Sequence, residues 1–550
     1  MDHGRHASLT RRDVLKLGSA ALGAGALSGA LAPLAAEAQT PKRGGTFHIR
    51  GEDPVGFDPQ LVFTYRTATN LSFTHSRLLR VKSGASVKPG TTPLEPDLAE
   101  SWTQPSDTTY VFKLRQGVRW HNKPPVNGRE LTADDVKYTY ERFLALKQNP
   151  HRGLLEQVQK IEAVDKYTVK FTLSEPYAWF PNVLASTVMW ILPREAGELH
   201  GDFRKPEACI GTGPWMLERY EPAVRLTFVR NPNYFIPGLP YADGVEVTVD
   251  EDPSSRLAAW LSGKYDFAPE YDMVVRRVDL DVAKQRKPRL QTAEFFWLVG
   301  GITWMKLNQD PFKDIRVRRA LAISSSWREI LETNAFSNGP HGAPNPAVPA
   351  AFAEWSIPIS ELPPDARRLY EQDIPEAKRL LREAGFPNGF KVPFETTAGY
   401  GPDYVDGVQI VLKNWKAAGI ETDLKLKEYG AFIATTFLGK FEKMAGSLFG
   451  AWDNPDSYLY RFHIPGQPTN GSEVNDPKLT EMIRLQRRTF DTAKRRDIIY
   501  DIQRYAAQQV YNLYTPTINV VSAWEPYVRN FSPNFGHDYG GRLMVAWLDK

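Results

Sequence analysis

Apolar and polar positions set out the elements before any composition is counted. Tyr110, Phe112 and Leu114 alternate with Val111, Lys113 and Arg115, and Val169, Phe171 and Leu173 alternate with Thr168, Lys170 and Thr172. A period of two predicts half-buried strands. Ile161 and Val164, followed by Asp165-Lys166, make the second of these a hairpin. Val245, Val247 and Val249 alternate with Glu246, Thr248 and Asp250 and predict a further strand. The period then changes. In TADDVKYTYERFLAL, Val136, Tyr140, Phe143 and Leu144 recur at helical spacing behind Thr132 as cap, with Asp134 and Asp135 where the helix dipole favours acids. DIPEAKRLLREAGF has Asp373 as cap, Glu376 three residues on and Gly385 as stop. Arg484–Tyr511 is a long amphipathic stretch. Short strands scattered among helices predict an α/β mixture, neither a repeated βαβ barrel nor an all-β sandwich.

Composition narrows the class. The chain has 550 residues, 68 basic and 64 acidic, a net charge of +4. That is too little for a nucleic-acid field. Aromatic residues make up 12%, with 14 Trp and 23 Tyr. Such a supply serves core packing or a cleft lined with rings. One cysteine, Cys209, excludes an intrachain disulfide. No His-Glu-x-x-His spacing and no Gly-x-Ser-x-Gly elbow occurs, so the sequence offers little for a secreted hydrolase. No cofactor is expected.

The N-terminus carries an address. Arg11-Arg12 with Leu15 and Lys16 resembles the twin-arginine export signal, with Val14 where the pattern has Phe. Leu17–Ala36 is uncharged and weakly apolar, and Ala36-Glu37-Ala38 has small residues at signal-peptidase spacing. Cleavage after Ala38 and a periplasmic mature protein are expected; a retained membrane anchor is the alternative.

Several segments then follow in a recognisable order. They are GGTFHIRGEDPVGFDPQ, LEPDLAESWTQPSDTTYVFKLRQGVRWHNKPP, LTADDVKYTYER, IGTGPWMLERYEP, VRNPNYF, PYADGVEVTV, SSRLAAWLSGKYDFA, FKDIRVRRALAIS and DIPEAKRLLREAGF. Together, over roughly residues 43–520, they resemble the periplasmic solute-binding proteins of ABC importers, family 5, the oligopeptide/dipeptide/nickel type (cluster C). The resemblance implies an α/β, two-lobed type II binding-protein fold with an extra subdomain in lobe one. Lobe one would hold 42–298, including the subdomain at about 90–210. Lobe two would hold 309–510, and 515–550 would return to lobe one. The two crossings would be FFWLVGGITWMKLN and LYTPTINVVSAW, with Gly300-Gly301 read either as hinge or as strand bulge. Gly211, Gly213, Pro214, Trp102 and Trp120 are expected to be scaffold.

The same resemblance supplies site candidates. A Gly-Trp-x-x-Asp segment of lobe two faces the cleft in the family, and its Asp receives the ligand's ammonium in peptide binders. Here the segment is GAWDNPDSYLY: Trp452 matches the Trp, Asp453 follows at once, and Asn454 is next. Further cleft candidates are Tyr65, Glu270, Tyr271, Trp297, Trp304 and Tyr429, each with core or surface packing as the bland alternative. The implied function is capture of a peptide or other small organic solute by a monomer that docks on an inner-membrane ABC permease, with no nucleic acid and no membrane insertion after cleavage. Two alternatives stay open, a secreted hydrolase and a receptor of the same fold.

Overall fold

The computed structural model describes residues 40–62, 64–450, 454–534 and 536–550. The twin-arginine segment and its cleavage site lie outside the described residues. All of the elements named here belong to the compact unit Lys42–Lys550.

The first half runs β1 (Thr46–Gly51), α1 (Tyr65–Leu71), β2 (Ala99–Ser106), β3 (Thr109–Leu114), α2 (Ala133–Ala145), β4 (Val158–Asp165), β5 (Thr168–Leu173), β6 (Trp215–Glu221), β7 (Arg225–Arg230) and β8 (Gly244–Val249). β1, β8, β7 and β6 form a four-stranded sheet in that order, with β1 parallel to β8. Its buried face carries Phe47, Ile49, Val245 and Val247, so the predicted alternation of the last strand is a core pattern. β2, β3, β5 and β4 form a second, antiparallel sheet. Tyr110, Phe112 and Leu114 are buried there with Trp120, and Trp102 packs at the edge of the same cluster. Thr132 and Asp135 close a capping box at the start of α2, as the acidic first turn predicts.

The second half runs β9 (Val274–Val275), β10 (Gln291–Phe296), β11 (Gly300–Met305), α3 (Trp327–Thr333), α4 (Ile374–Glu383), β12 (Phe390–Thr397), α5 (Pro402–Ala418), β13 (Ile420–Lys427), α6 (Tyr429–Ala434), β14 (Met444–Phe449), α7 (Pro455–His463), α8 (Pro477–Arg488), α9 (Thr492–Gln509), β15 (Asn512–Tyr514) and β16 (Thr517–Trp524). A five-stranded sheet has the order β13-β12-β14-β11-β15, and β9-β16-β10 form another. The chain therefore leaves one sheet for the other at Trp297–Val299 and returns at Thr515–Pro516.

Gly300 and Gly301 pair in unbroken register with Phe449 and Leu448, so there is no bulge. Their need for glycine is packing. A Cβ at Gly300 would lie 2.7 Å from the Phe449 ring, and one at Gly301 would lie 2.7 Å from the Thr515 methyl. The amphipathic stretch Arg484–Tyr511 resolves into the end of α8 and all of α9, because Asp491 caps a new helix by accepting from the Lys494 amide. Gly211 and Gly213 are scaffold for a reason that the sequence does not show. Cβ atoms there would fall 1.9 and 2.5 Å from the Thr74 backbone.

Candidate functional site

A cavity of about 850 Å³ opens beside the two crossings, and its walls come from both halves of the chain. One wall is built at the end of β1 and the start of α1. Thr64 caps α1 through the Thr67 amide, which fixes the two residues that follow, Tyr65 and Arg66, at the cavity. Glu52 pairs with Arg50 at 3.0 Å and with Arg66 at 3.1 Å. Burial alone would raise the Glu52 carboxyl, but the two guanidinium groups outweigh it and hold it below its ordinary value. Beside this cluster, Arg256 grips Glu270 through Nε at 2.8 Å and Nη2 at 2.5 Å. Burial still raises the Glu270 carboxyl against that pairing.

Rings continue the wall. Tyr65 and Tyr271 meet edge to face at 5.1 Å, and Tyr271 lies 6.1 Å from Trp297. The Tyr271 hydroxyl and His537 Nδ1 share a hydrogen bond at 2.6 Å. Burial, and then Arg542, lower the His537 pKa to about 3, so the ring is neutral. Trp297 donates from its indole to Asp272 at 2.8 Å. Burial lifts the Asp272 carboxyl to about 6 in spite of Arg542.

The opposite wall is mainly apolar, with Asp403 and Glu428 as its charged residues. It takes Phe394 from β12, Tyr404, Val408 and Val411 from α5, Tyr429 from α6, and Phe449 from β14. Arg66 and Arg276 reach across to it. The Arg66 guanidinium sits 4.9 Å from the Tyr429 ring centroid and reaches the Gly399 carbonyl at 3.5 Å. Arg276 meets Asp403 at 3.4 Å.

Of the expected residues, Tyr65, Glu270, Tyr271, Trp297 and Tyr429 line this one cavity. Two do not. Trp304 is fully buried with Phe437 at 5.8 Å, Phe441 at 6.2 Å and Phe462 at 6.3 Å, and a Cβ at Gly471 would touch its ring. It is core. Asn454 caps α7 by accepting from the Ser457 amide at 3.0 Å and is buried away from the lining. Trp452 and Asp453 lie outside the described residues; Gly450, just before them, lines the cavity. Sequence reasoning missed Arg50, Glu52, Arg66, Arg256 and His537. Arg66 stands beside a candidate tyrosine, but nothing local signals that Glu52 comes back to meet it.

Among the described residues the lining holds the carboxylates of Glu52, Asp53, Glu251, Glu270, Asp403 and Glu428 against the guanidinium groups of Arg50, Arg66 and Arg256. Six against three leaves the lining three formal charges negative, and Arg276, just outside it, offsets one of them through Asp403.

The family model of bacterial extracellular solute-binding proteins, family 5 (middle), matches residues 93–470. The chain belongs to this family. The family 5 protein is 28% identical over 491 residues to "Di/tripeptide-binding protein 2" of Pseudomonas aeruginosa (strain UCBPP-PA14), covering 83% of this chain and 86% of that one. Its fold matches the periplasmic binding protein DppA from Helicobacter pylori in complex with the peptide STSA, with a TM-score of 0.79, 24% identity, and 92% of this chain and 99% of that one covered. It also matches AgaA from A. tumefacien R10 in complex with agropinic acid, with a TM-score of 0.78, 24% identity and 92% and 99% coverage. The fold is the two-lobed α/β fold of periplasmic binding proteins. The family 5 protein is the substrate-binding component of an ABC transport system, acts in the periplasm, and comes from a family of binding proteins rather than enzymes.

Proposed function

We propose that this protein captures a short peptide with a free amino terminus and apolar side chains between its lobes, and hands it to an inner-membrane permease. The lobes are 42–298 with the return segment 515–550, and 309–510; the subdomain at about 90–210 belongs to the first. The hinge consists of Trp297–Val299 and Thr515–Pro516. The protein works as a monomer, exported by the twin-arginine route and cleaved after Ala38.

The observation that carries the reading is the charge of the cavity. Its lining is negative by three formal charges, one of them offset by Arg276 at Asp403, and every lining guanidinium already has a carboxylate partner within the wall. Such a wall favours an ammonium and disfavours an acidic opine. The volume, about 850 Å³, falls within the usual range for small-molecule sites, about 300–1,000 Å³. Aromatic and aliphatic groups opposite the charges supply area for side chains. The di/tripeptide-binding relative points the same way.

Calorimetric titration tests this. Ala-Leu and Leu-Leu-Ala are expected to bind at about micromolar Kd, about −8 kcal/mol. N-acetyl-Ala-Leu is expected to bind at least about tenfold more weakly, since it removes the charge that the wall selects. Equal binding of the acetylated peptide, or preference for an acidic opine, would refute the ammonium reading. Asp453→Asn asks whether that carboxylate receives the ammonium: the free dipeptide should lose affinity and the acetylated one should not.

A further inference from the structure

The apolar wall contains a feature that simple helix formation disfavours. α5 is 17 residues long, and Gly407 stands inside it. Glycine in a helix interior is less favourable than alanine because it holds more backbone freedom to lose. No close neighbour explains it. A Cβ built on Gly407 would meet no other group within 4 Å. Yet Gly407 lines the cavity, so the vacant side of this residue is cavity space.

Its neighbours on the helix define what that space is. Tyr404, Gly407, Val408 and Val411 follow one another at i, i+3, i+4 and i+7, a single stripe, and all four line the cavity. Ile330 of α3 lines it as well, and α3 packs against α5. At the base, Gly446 of β14 leaves room for the Phe394 ring, which a Cβ would approach to 2.6 Å. The polar atom within this set is already used: the Tyr404 hydroxyl bonds Thr396 Oγ1 at 2.6 Å. Asp403, one turn before Gly407, also lines the cavity and is paired with Arg276 at 3.4 Å, so the recess offers hydrocarbon and ring surface beside polar groups that already have partners.

We infer that the space over Gly407 is a side-chain subsite for a bulky apolar residue of the ligand, of leucine or phenylalanine size, and that Gly407 sets how large that residue can be. The inference rests on the peptide reading above and adds to it a site and a size rule. An apolar group entering the recess leaves water without stranding any polar atom. Filling the recess from the helix side removes that gain and leaves the charged wall, formed by Glu52, Arg66 and Glu270, untouched.

The test is calorimetric titration of the mature protein and of Gly407→Leu and Gly407→Ala with Ala-Ala, Leu-Ala, Ala-Leu and Ala-Phe. The wild type should bind at least one of the leucine or phenylalanine peptides about 10- to 100-fold more tightly than Ala-Ala, the size of effect expected for burying such a side chain. Gly407→Leu should lose most of that advantage while Ala-Ala stays within about twofold. Gly407→Ala should lose less, more with Ala-Phe than with Ala-Leu, and should melt no lower than the wild type. If Gly407→Leu does not fold, the alanine variant carries the test, because its single methyl meets open space. Peptide binding by the wild type with equal loss across all four peptides, or with no loss, overturns the subsite alone. Failure of the wild type to bind any of the four overturns the peptide reading and the subsite with it.

Discussion

The two proposed lobes meet along two seams of opposite character. At the mouth of the cavity the contacts are few and wet: Arg276 and Asp403 stand 3.4 Å apart with side chains 25% and 21% exposed. Arg66 adds one long bond to the Gly399 carbonyl and a ring contact with Tyr429. At the other seam, the segment after β5 meets α7 and α8, and the contacts are dry. Asp456 accepts from the Tyr177 hydroxyl at 2.9 Å and from Gln486, and pairs with Arg487 at 3.3 Å, with side chains 2% and 4% exposed. The Trp179 indole donates to Gln486 at 2.8 Å, and the Arg487 guanidinium lies 3.7 Å from the Tyr460 ring centroid. An exposed pair forms and breaks at little cost, whereas a buried charge that loses its partner has no water to turn to. On the proposed hinge reading the mouth opens and the Asp456 junction holds.

The largest effect is expected where the seam is dry. Asp456→Ala removes the nearer carboxylate of Arg487, leaving Glu156 at 3.8 Å and Gln157 at 3.2 Å, and should lower unfolding stability by about 3 kcal/mol, read by denaturant titration. Asp456→Asn keeps two of the hydrogen bonds and should cost less. A loss below about 1 kcal/mol for the alanine variant would show that the junction is not the fixed side.

Acid probes both seams. Burial lowers His463, in α7, to about 4, and lowers His537, at the cavity, as well as His75 and His121, to about 3. A histidine that stays neutral when folded contributes stability above its unfolded value near 6.5, lost as pH falls towards the folded one. The unfolded chain then binds more protons. Asp272, raised to about 6, acts in the opposite sense and offsets one of them between about pH 6 and 4. Stability should therefore decline as pH falls from 6.5 to 4, by about 1.4 kcal/mol per pH unit for each proton of net difference. Removing one histidine, as in His463→Gln, should flatten the slope. A stability that rises over this interval would contradict the assignment.

The wet seam should respond least in stability and most in kinetics. Asp403→Asn is expected to change unfolding stability by less than about 1 kcal/mol. It should speed peptide release measured by stopped-flow fluorescence, with association nearly unchanged. Arg66→Lys keeps the charge but loses the planar contact on Tyr429, and should weaken binding by a few-fold only.

Much of the fold was legible because its signals are local. Alternation at Tyr110–Leu114 and Val245–Val249 predicted strands that bury the expected faces, and Thr132 and Asp373 cap helices as their chemistry requires. The break before α9 was also written locally, in Asp491, but helical periodicity on either side masked it. The site was less legible because its partners lie far apart in sequence. Glu270 and Tyr271 were found through position in a family pattern, whereas His537, 266 residues beyond Tyr271, carries no local mark. Trp304 misled because a tryptophan beside a crossing strand looks the same in sequence whether it faces a cavity or, as here, Phe437, Phe441 and Phe462. Asn454 misled for a similar reason: its side chain is used by the helix that it starts.

The central claim is that two bodies close on a short peptide. Small-angle scattering of the mature chain, with and without saturating Ala-Leu, tests it most directly. The account predicts a smaller radius of gyration with the dipeptide, and a ligand-free Asp403→Asn variant at least as extended as the ligand-free wild type. Superimposable curves at a dipeptide concentration that calorimetry shows to be saturating would contradict it.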